Sequence, residues 1–61
     1  MNTIRLSRGT DVWYATHEGP GAREIMRLFG TVKLPTPFHV STSQDEVRAR
    51  IQALNPDAQV R

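Results

Sequence analysis

The side chains that could hold a metal ion are two histidines and the carboxylates near them. His17 is followed directly by Glu18, His39 stands alone in the second half of the chain, and Asp11 is a further oxygen ligand. No cysteine occurs, and the histidines do not stand at HxH or HxxxH spacing. A structural zinc site needs four ligands at close spacing. The sequence therefore favours two solvent-facing histidines over a metal site, and we expect no metal and no cofactor.

Nucleophilic and acid–base catalysis would need a different set of side chains. The serine hydroxyls are those of Ser7, Ser41 and Ser43, and none lies in a GxSxG turn. His17 lies between two polar residues in a strand-like segment, but neighbours in a strand point to opposite faces. Acid–base work needs two titratable groups held together in a cleft. We therefore expect that the protein is not an enzyme.

A short glycine-containing segment, GPG at residues 19–21, is the one candidate for binding phosphate. It opens a predicted helix, where free backbone N–H groups attract anions. Proline removes one of these donors, and neither GxGxxG nor GxxxxGK[ST] is present. The segment is better explained as the entry turn of a helix.

Arginine and aromatic residues in the first hairpin suggest binding to nucleic acid. The formal net charge is only +2, but seven of the eight basic residues are arginines. Arg5 lies on the predicted outer face of the first strand and Arg8 in the turn that follows. If Trp13 shares that outer face, the three side chains form a small platform for base stacking and phosphate contact. The same exposed residues would equally suit a protein interface, where Trp and Arg are enriched.

Residues 3–17 are predicted to form the β-hairpin that positions these side chains. Ile4 and Leu6 alternate with polar residues, RGTD supplies a turn, and VWYATH is rich in β-branched and aromatic residues. The second strand places Trp13 and Tyr14 on opposite faces. One face meets the helices, so the other leaves an aromatic side chain exposed to solvent.

Two further segments are predicted as helices. The first lies between Pro20, which suits the opening position of a helix, and Gly30, which suits its C-terminal cap. The second opens with a capping box formed by Ser43 and Glu46, and it ends at Asn55-Pro56. Val60 leads a short C-terminal segment that is long enough for a third strand.

The segment between the helices contains LPTPF at residues 34–38. Two prolines two residues apart exclude a helix, and proline cannot donate to a central strand of a sheet. A proline-rich ligand would need PxxP spacing, whereas the spacing here is PxP. We interpret the segment as an extended crossover that connects the two helices.

The chain has 61 residues, which is enough for one domain, residues 1–61. A chain this short buries only about 60% of its unfolded surface. Without disulfides or metals, it must be stabilised by its core alone or by self-association. No apolar run approaches the roughly 20 residues needed to cross a membrane, and the N-terminus has no signal-peptide pattern. We expect a cytoplasmic protein that does not associate with membranes.

Three motifs, LFGT (28–31), LPTPF (34–38) and LNPD (54–57), carry a resemblance to known sequences. The chain resembles a group of small bacterial proteins that share a Trp-containing hairpin, an LFGT helix end and an LPTxF crossover. That group has no assigned activity, so the resemblance implies an intact small domain and no function. A weaker likeness is to the αβ domains of HicB-type antitoxins, but the glycine-centred loop of those domains is missing.

The sequence thus predicts a small α+β domain in the order β-β-α-α-β, with a hairpin-based antiparallel sheet that carries both helices on one face. The function that we predict is a non-catalytic interaction or assembly module, with a protein partner or a second copy as its ligand. The alternative is a small nucleic-acid-associated regulator that uses Arg5, Arg8 and Trp13. The predicted core consists of Ile4, Leu6, Tyr14, Ile25, Met26, Phe29, Leu34, Phe38, Val47, Ile51 and Leu54.

Overall fold

A computed structural model describes all residues, 1–61, as four strands and two helices. Neither helix is long and apolar enough to cross a membrane. In chain order the elements are β1 (Asn2–Arg8), β2 (Val12–Glu18), α1 (Pro20–Phe29), β3 (Lys33–His39), α2 (Gln44–Leu54) and β4 (Ala58–Val60).

The strands form one mixed sheet in the order β3-β2-β1-β4. β1 and β2 form the predicted antiparallel hairpin, in which Leu6 lies opposite Ala15. β4 pairs in parallel with β1 and places Val60 beside Ile4, so the predicted C-terminal strand is confirmed. The α+β class is confirmed as well, but the prediction of an antiparallel sheet is wrong, because β4 pairs with β1 in parallel and makes the sheet mixed.

The predicted order β-β-α-α-β is wrong in one element, because the LPTPF segment is a strand. β3 pairs with β2 in antiparallel fashion, with Leu34 opposite Ala15. The N–H of His17 donates to the carbonyl of Val32. In an antiparallel ladder Leu34 therefore also turns its backbone groups toward β2, while Lys33 and Pro35 turn theirs outward. Pro35 then lies at an outward-facing position of an edge strand, where a missing N–H costs no ladder bond. Pro37 lies in the irregular stretch between Pro35 and His39, which has no residue-by-residue pairing with β2.

The core lies between one face of the sheet and α2. The predictions of Ile4, Leu6, Val47 and Ile51 are confirmed, since all four are buried. The other buried residues were not in the predicted core; they are Trp13, Thr36, Ala15 and Val60.

The remaining predicted core residues are not buried. Met26, Phe29 and Leu54 are exposed, so their assignment to the core was wrong. Four others are only partly buried; they are Tyr14, Ile25, Leu34 and Phe38. Of these, Phe38 packs against the core cluster.

Local signals set the helix ends as the sequence predicts. Ser43 is the N-cap of α2 and its hydroxyl accepts the N–H of Glu46 at 3.2 Å. Gly30 ends α1 in the left-handed region, with φ of 75°, and its N–H donates to the Met26 carbonyl. α1 has no side-chain cap of its own at Gly19; instead Asn2 of β1 accepts the Gly21 N–H at 2.7 Å.

Candidate interaction surfaces

The three residues predicted as an interaction surface do not lie together. In the hairpin register Arg5 faces Thr16, whereas Arg8 faces Trp13. Side chains alternate along a strand, so Arg8 and Trp13 share the face that carries Ile4 and α2, and Arg5 lies on the opposite face. The predicted platform of Arg5, Arg8 and Trp13 therefore does not form.

Trp13 is a core residue. It is only 3% exposed, and its indole N–H donates to the carbonyl of Thr42 at 3.0 Å, just before α2. The guanidinium of Arg8 lies 4.4 Å from the centroid of the indole ring and donates a hydrogen bond to the carbonyl of Val40. Arg8 thus covers the edge of the core, and it is not available as a free partner of Arg5.

The face of the sheet that no helix covers carries a different set of side chains. Arg5, Thr16 and Lys33 form one row across β1, β2 and β3, and we call this row the cationic row. In the next row Tyr14 lies between Ser7 and Pro35. These two rows bring two cations and an aromatic ring onto one solvent-facing surface, which we call the open face.

Tyr14 is held in place on the open face by its neighbours. The Lys33 ammonium lies 5.3 Å from the centroid of the Tyr14 ring. The ring also lies across Gly9, where a Cβ atom would come within 2.3 Å of it and within 2.7 Å of the Val12 carbonyl oxygen. The hairpin turn therefore needs glycine here. Arg5 makes a longer contact, 3.7 Å, with the Glu18 carboxylate.

Sequence reasoning missed Tyr14 because it assigned the wrong face of β2 to the core. A usable signal was the hairpin register. A turn that pairs Arg8 with Trp13 also pairs Leu6 with Ala15, and this puts Trp13 and Ala15 on the same face as the apolar residues of β1. Tyr14 must then lie on the other face.

The second half of α1 is an exposed apolar surface. None of the ten residues of α1 is buried. Met26, Leu28 and Phe29 are 47%, 65% and 60% exposed, and we call these three residues the α1 patch. Only the first half of the helix lies against the sheet, where Ala22 and Ile25 line a groove with Ile4. The apolar residues of the last turn extend beyond that contact.

His17 lies in the groove between α1, the end of α2 and the sheet. The residues that line this groove include Ile4 of β1, Ile25 of α1, and Asn55, which follows α2. Burial in this groove lowers the pKa of His17 from its ordinary value. No three His, Asp or Glu residues lie close enough together to hold a metal ion.

No family model, curated protein or solved structure matches this chain. The resemblance to small bacterial proteins with LFGT and LPTxF motifs stays a prediction.

Proposed function

We propose that the protein is a non-catalytic interaction module that self-associates through the α1 patch. One observation carries the proposal: a ten-residue helix has no buried side chain and exposes three large apolar side chains in its last turn, Met26, Leu28 and Phe29. Single exposed apolar residues are ordinary on a protein surface, but contiguous exposed apolar groups mark interaction sites.

The small size of the core supports an interaction that buries more apolar surface. Seven apolar residues form the whole buried cluster. A domain of this size gains only a few kcal/mol from such a core, and natural small domains without disulfides or metals often add burial by oligomerising. The α1 patch offers that burial directly.

A second copy of the chain is the partner that we propose. A two-fold axis brings the same patch of both copies together, and an apolar patch is complementary to itself because the hydrophobic effect has no direction. A standard interface covers about 800 Å² on each partner. The chain exposes 4234 Å², so such an interface would cover roughly a fifth of it. The α1 patch would form its centre.

Two of the three charged residues of α1 are paired with each other, and Arg23 is the third. Glu24 accepts a hydrogen bond from the Arg27 guanidinium at 2.9 Å, so these two charges are paired within the helix. Both side chains are largely exposed and lie outside the apolar side. They suit the polar rim that surrounds the centre of an interface. As part of the same proposal, the module works in the cytoplasm.

The test is the mass of the protein in solution, measured by sedimentation velocity over a wide concentration range. We expect a concentration-dependent dimer. The double variant Leu28→Gln with Phe29→Gln should raise the dimer dissociation constant at least tenfold, because both copies lose their central apolar side chains. Its control is Ala49→Gln with Ala53→Gln, which changes two exposed apolar positions on α2.

The result that contradicts the proposal is a protein that stays monomeric at millimolar concentration. A dimer that the control weakens as much as the α1 variant does would also overturn it. Circular dichroism and urea unfolding of each variant show whether the fold is kept, so loss of the dimer can be separated from loss of the domain.

A further inference from the structure

We infer that the open face binds single-stranded nucleic acid, with phosphate on the cationic row and a base stacked on Tyr14. This site is distinct from the α1 patch and does not depend on the proposed self-association. It also differs from the platform that the sequence predicts, because it replaces Arg8 and Trp13 with Lys33 and Tyr14.

The cationic row provides the phosphate contacts. Arg5 and Lys33 flank Thr16 on adjacent strands, and all three side chains are on the open face. Neighbouring strands are about 4.8 Å apart, so the Cα atoms of the two cations are about 10 Å apart with Thr16 midway. Both long side chains can therefore reach an anion that lies above the Thr16 hydroxyl. Arg5 and Lys33 are exposed and need no rearrangement of the core to do so.

Tyr14 provides the stacking surface in the next row, and a base reaches its ring when the Lys33 ammonium, 5.3 Å from the ring centroid, turns away toward the phosphate. Successive rows of one face are about 7 Å apart along a strand. A phosphate on the cationic row and the base of the same nucleotide can therefore meet the two rows together. Pro35 lies opposite Tyr14 on β3 and extends the flat apolar surface beside the ring. Aromatic rings on a sheet flanked by cations bind single strands without regard to sequence, since every base has a π-face.

Single strands fit this surface better than a duplex or an acidic peptide does. In a duplex the base faces are stacked inside and cannot reach a flat sheet. An acidic peptide would use Arg5 and Lys33 but would gain nothing from the face of Tyr14. The combination of paired cations and an aromatic ring is therefore complementary to a nucleotide chain.

Glu18 limits the affinity of the site. Its carboxylate lies 3.7 Å from the Arg5 guanidinium and competes with phosphate for it. Two cations imply about two phosphate contacts, and single strands lose affinity with a logarithmic slope of about −0.7 for each contact. Binding should therefore weaken about sevenfold between 50 and 200 mM salt. Glu18→Gln should strengthen binding because it leaves Arg5 free for phosphate.

The experiment is fluorescence anisotropy of labelled oligo-dT and oligo-U, twelve nucleotides each, titrated with the full chain. Lys33→Gln should weaken binding severalfold and reduce the salt slope by about 0.7. Tyr14→Leu keeps the apolar bulk over Gly9 and should weaken binding on the order of tenfold, whereas Tyr14→Phe should not. The matched control is Arg50→Gln, an exposed arginine on α2, on the other side of the sheet. It should change little.

Several outcomes overturn the inference. One is the absence of salt-dependent binding, and another is an Arg50→Gln effect as large as that of Lys33→Gln. If a labelled poly-glutamate binds as well as the oligonucleotides and Tyr14→Leu changes neither, the face attracts anions in general and has no nucleotide site. The variant Leu28→Gln with Phe29→Gln should bind oligonucleotide at each protomer as the parent does, and this keeps the result separate from self-association.

Discussion

The hydroxyl of Thr36 donates a buried hydrogen bond of 2.8 Å to the carbonyl of Trp13. This hydrogen bond lies where the register between β2 and β3 shifts. Val12 pairs with His39 and Tyr14 pairs with Pro35, so one residue of β2, Trp13, lies opposite three residues of β3. Thr36 is the one buried polar residue of the domain and lies between two prolines. The hydroxyl therefore ties the proline-containing edge strand to the core at its most irregular point.

Replacing Thr36 with valine keeps the shape of the side chain and removes this hydrogen bond. We expect a loss of about 1–2 kcal/mol in the free energy of unfolding, because the Trp13 carbonyl loses a donor while buried. Urea unfolding followed by circular dichroism measures it. Thr16→Val on the open face is the control and should change stability by less than about 0.5 kcal/mol. Equal effects of the two variants would show that the hydrogen bond contributes nothing specific.

The variant Trp13→Ala should unfold the domain or nearly so. Removing a buried tryptophan costs about 3–5 kcal/mol, and a chain of this length has a total stability of roughly 3–9 kcal/mol. Urea unfolding and the dispersion of amide NMR signals report the outcome. Tyr14→Ala, on the other face of the same strand, should cost clearly less. A folded Trp13→Ala protein with near-normal stability would mean that Trp13 is not in the core.

The side chain of Asn2 acts as the N-terminal cap of a helix that begins eighteen residues later. Its Oδ1 accepts the Gly21 N–H at 2.7 Å, and no side chain of Gly19 can do so. Asn2→Ala should cost about 0.5–2 kcal/mol, the range for loss of a cap. Asn2→Asp keeps the acceptor and adds a negative charge at the positive end of α1, so it should retain stability.

Amide hydrogen exchange localises the effect of these Asn2 variants. In Asn2→Ala the amides of α1 should exchange faster than in the parent, while those of α2 change only with global stability. Uniform acceleration over both helices, or a loss in Asn2→Asp as large as that in Asn2→Ala, would contradict the capping role.

The groove around His17 makes stability depend on pH. Burial lowers the pKa of His17 in the folded state below its ordinary value of 6.5. Between those two values the unfolded chain binds more protons than the folded one, so stability falls as pH decreases through this window and levels off below it. The free energy of unfolding, measured by urea titration between pH 7.5 and about 5, tests this.

Two carboxylates lie near His17, and a histidine outside the groove serves as the control. Glu18 and Glu24 lie at this groove, but the Glu18 carboxylate is turned to Arg5 on the open face and the Glu24 carboxylate is paired with Arg27. His17→Gln should flatten the pH dependence in that window. His39→Gln is the matched control, because it removes the exposed histidine at the end of β3, and the dependence should persist in it. An unchanged slope in His17→Gln would show that other groups cause it.

Local sequence signals determined much of this fold. The alternation around Ile4 and Leu6 predicted β1, and the cap at Ser43 and the stop at Asn55-Pro56 predicted α2. Gly30 ended α1 as expected. Each of these signals acts over a few residues, through backbone preferences or a single hydrogen bond, so no distant part of the chain is needed to read it.

Tertiary structure decided which surfaces are buried. β2 carries apolar groups on both faces, so its own sequence does not show whether Trp13 or Tyr14 is buried. The pairing with β1 and the position of α2 place Trp13 in the core. The amphipathic pattern of α1 predicted a buried Met26 and Phe29, but the helix meets the sheet only with its first half.

The LPTPF segment is a second case in which the local sequence did not predict the structure. Proline at residues 35 and 37 argues against a strand unless the segment lies at the edge of a sheet. That edge is provided by β2, which is distant in sequence from β3. The sequence by itself determined the hairpin, both helices, the helix ends and the C-terminal strand, but not β3. The contacts between elements decided that Arg5 shares a face with Tyr14 and Lys33, because strand pairing over long separations sets the face on which each side chain lies.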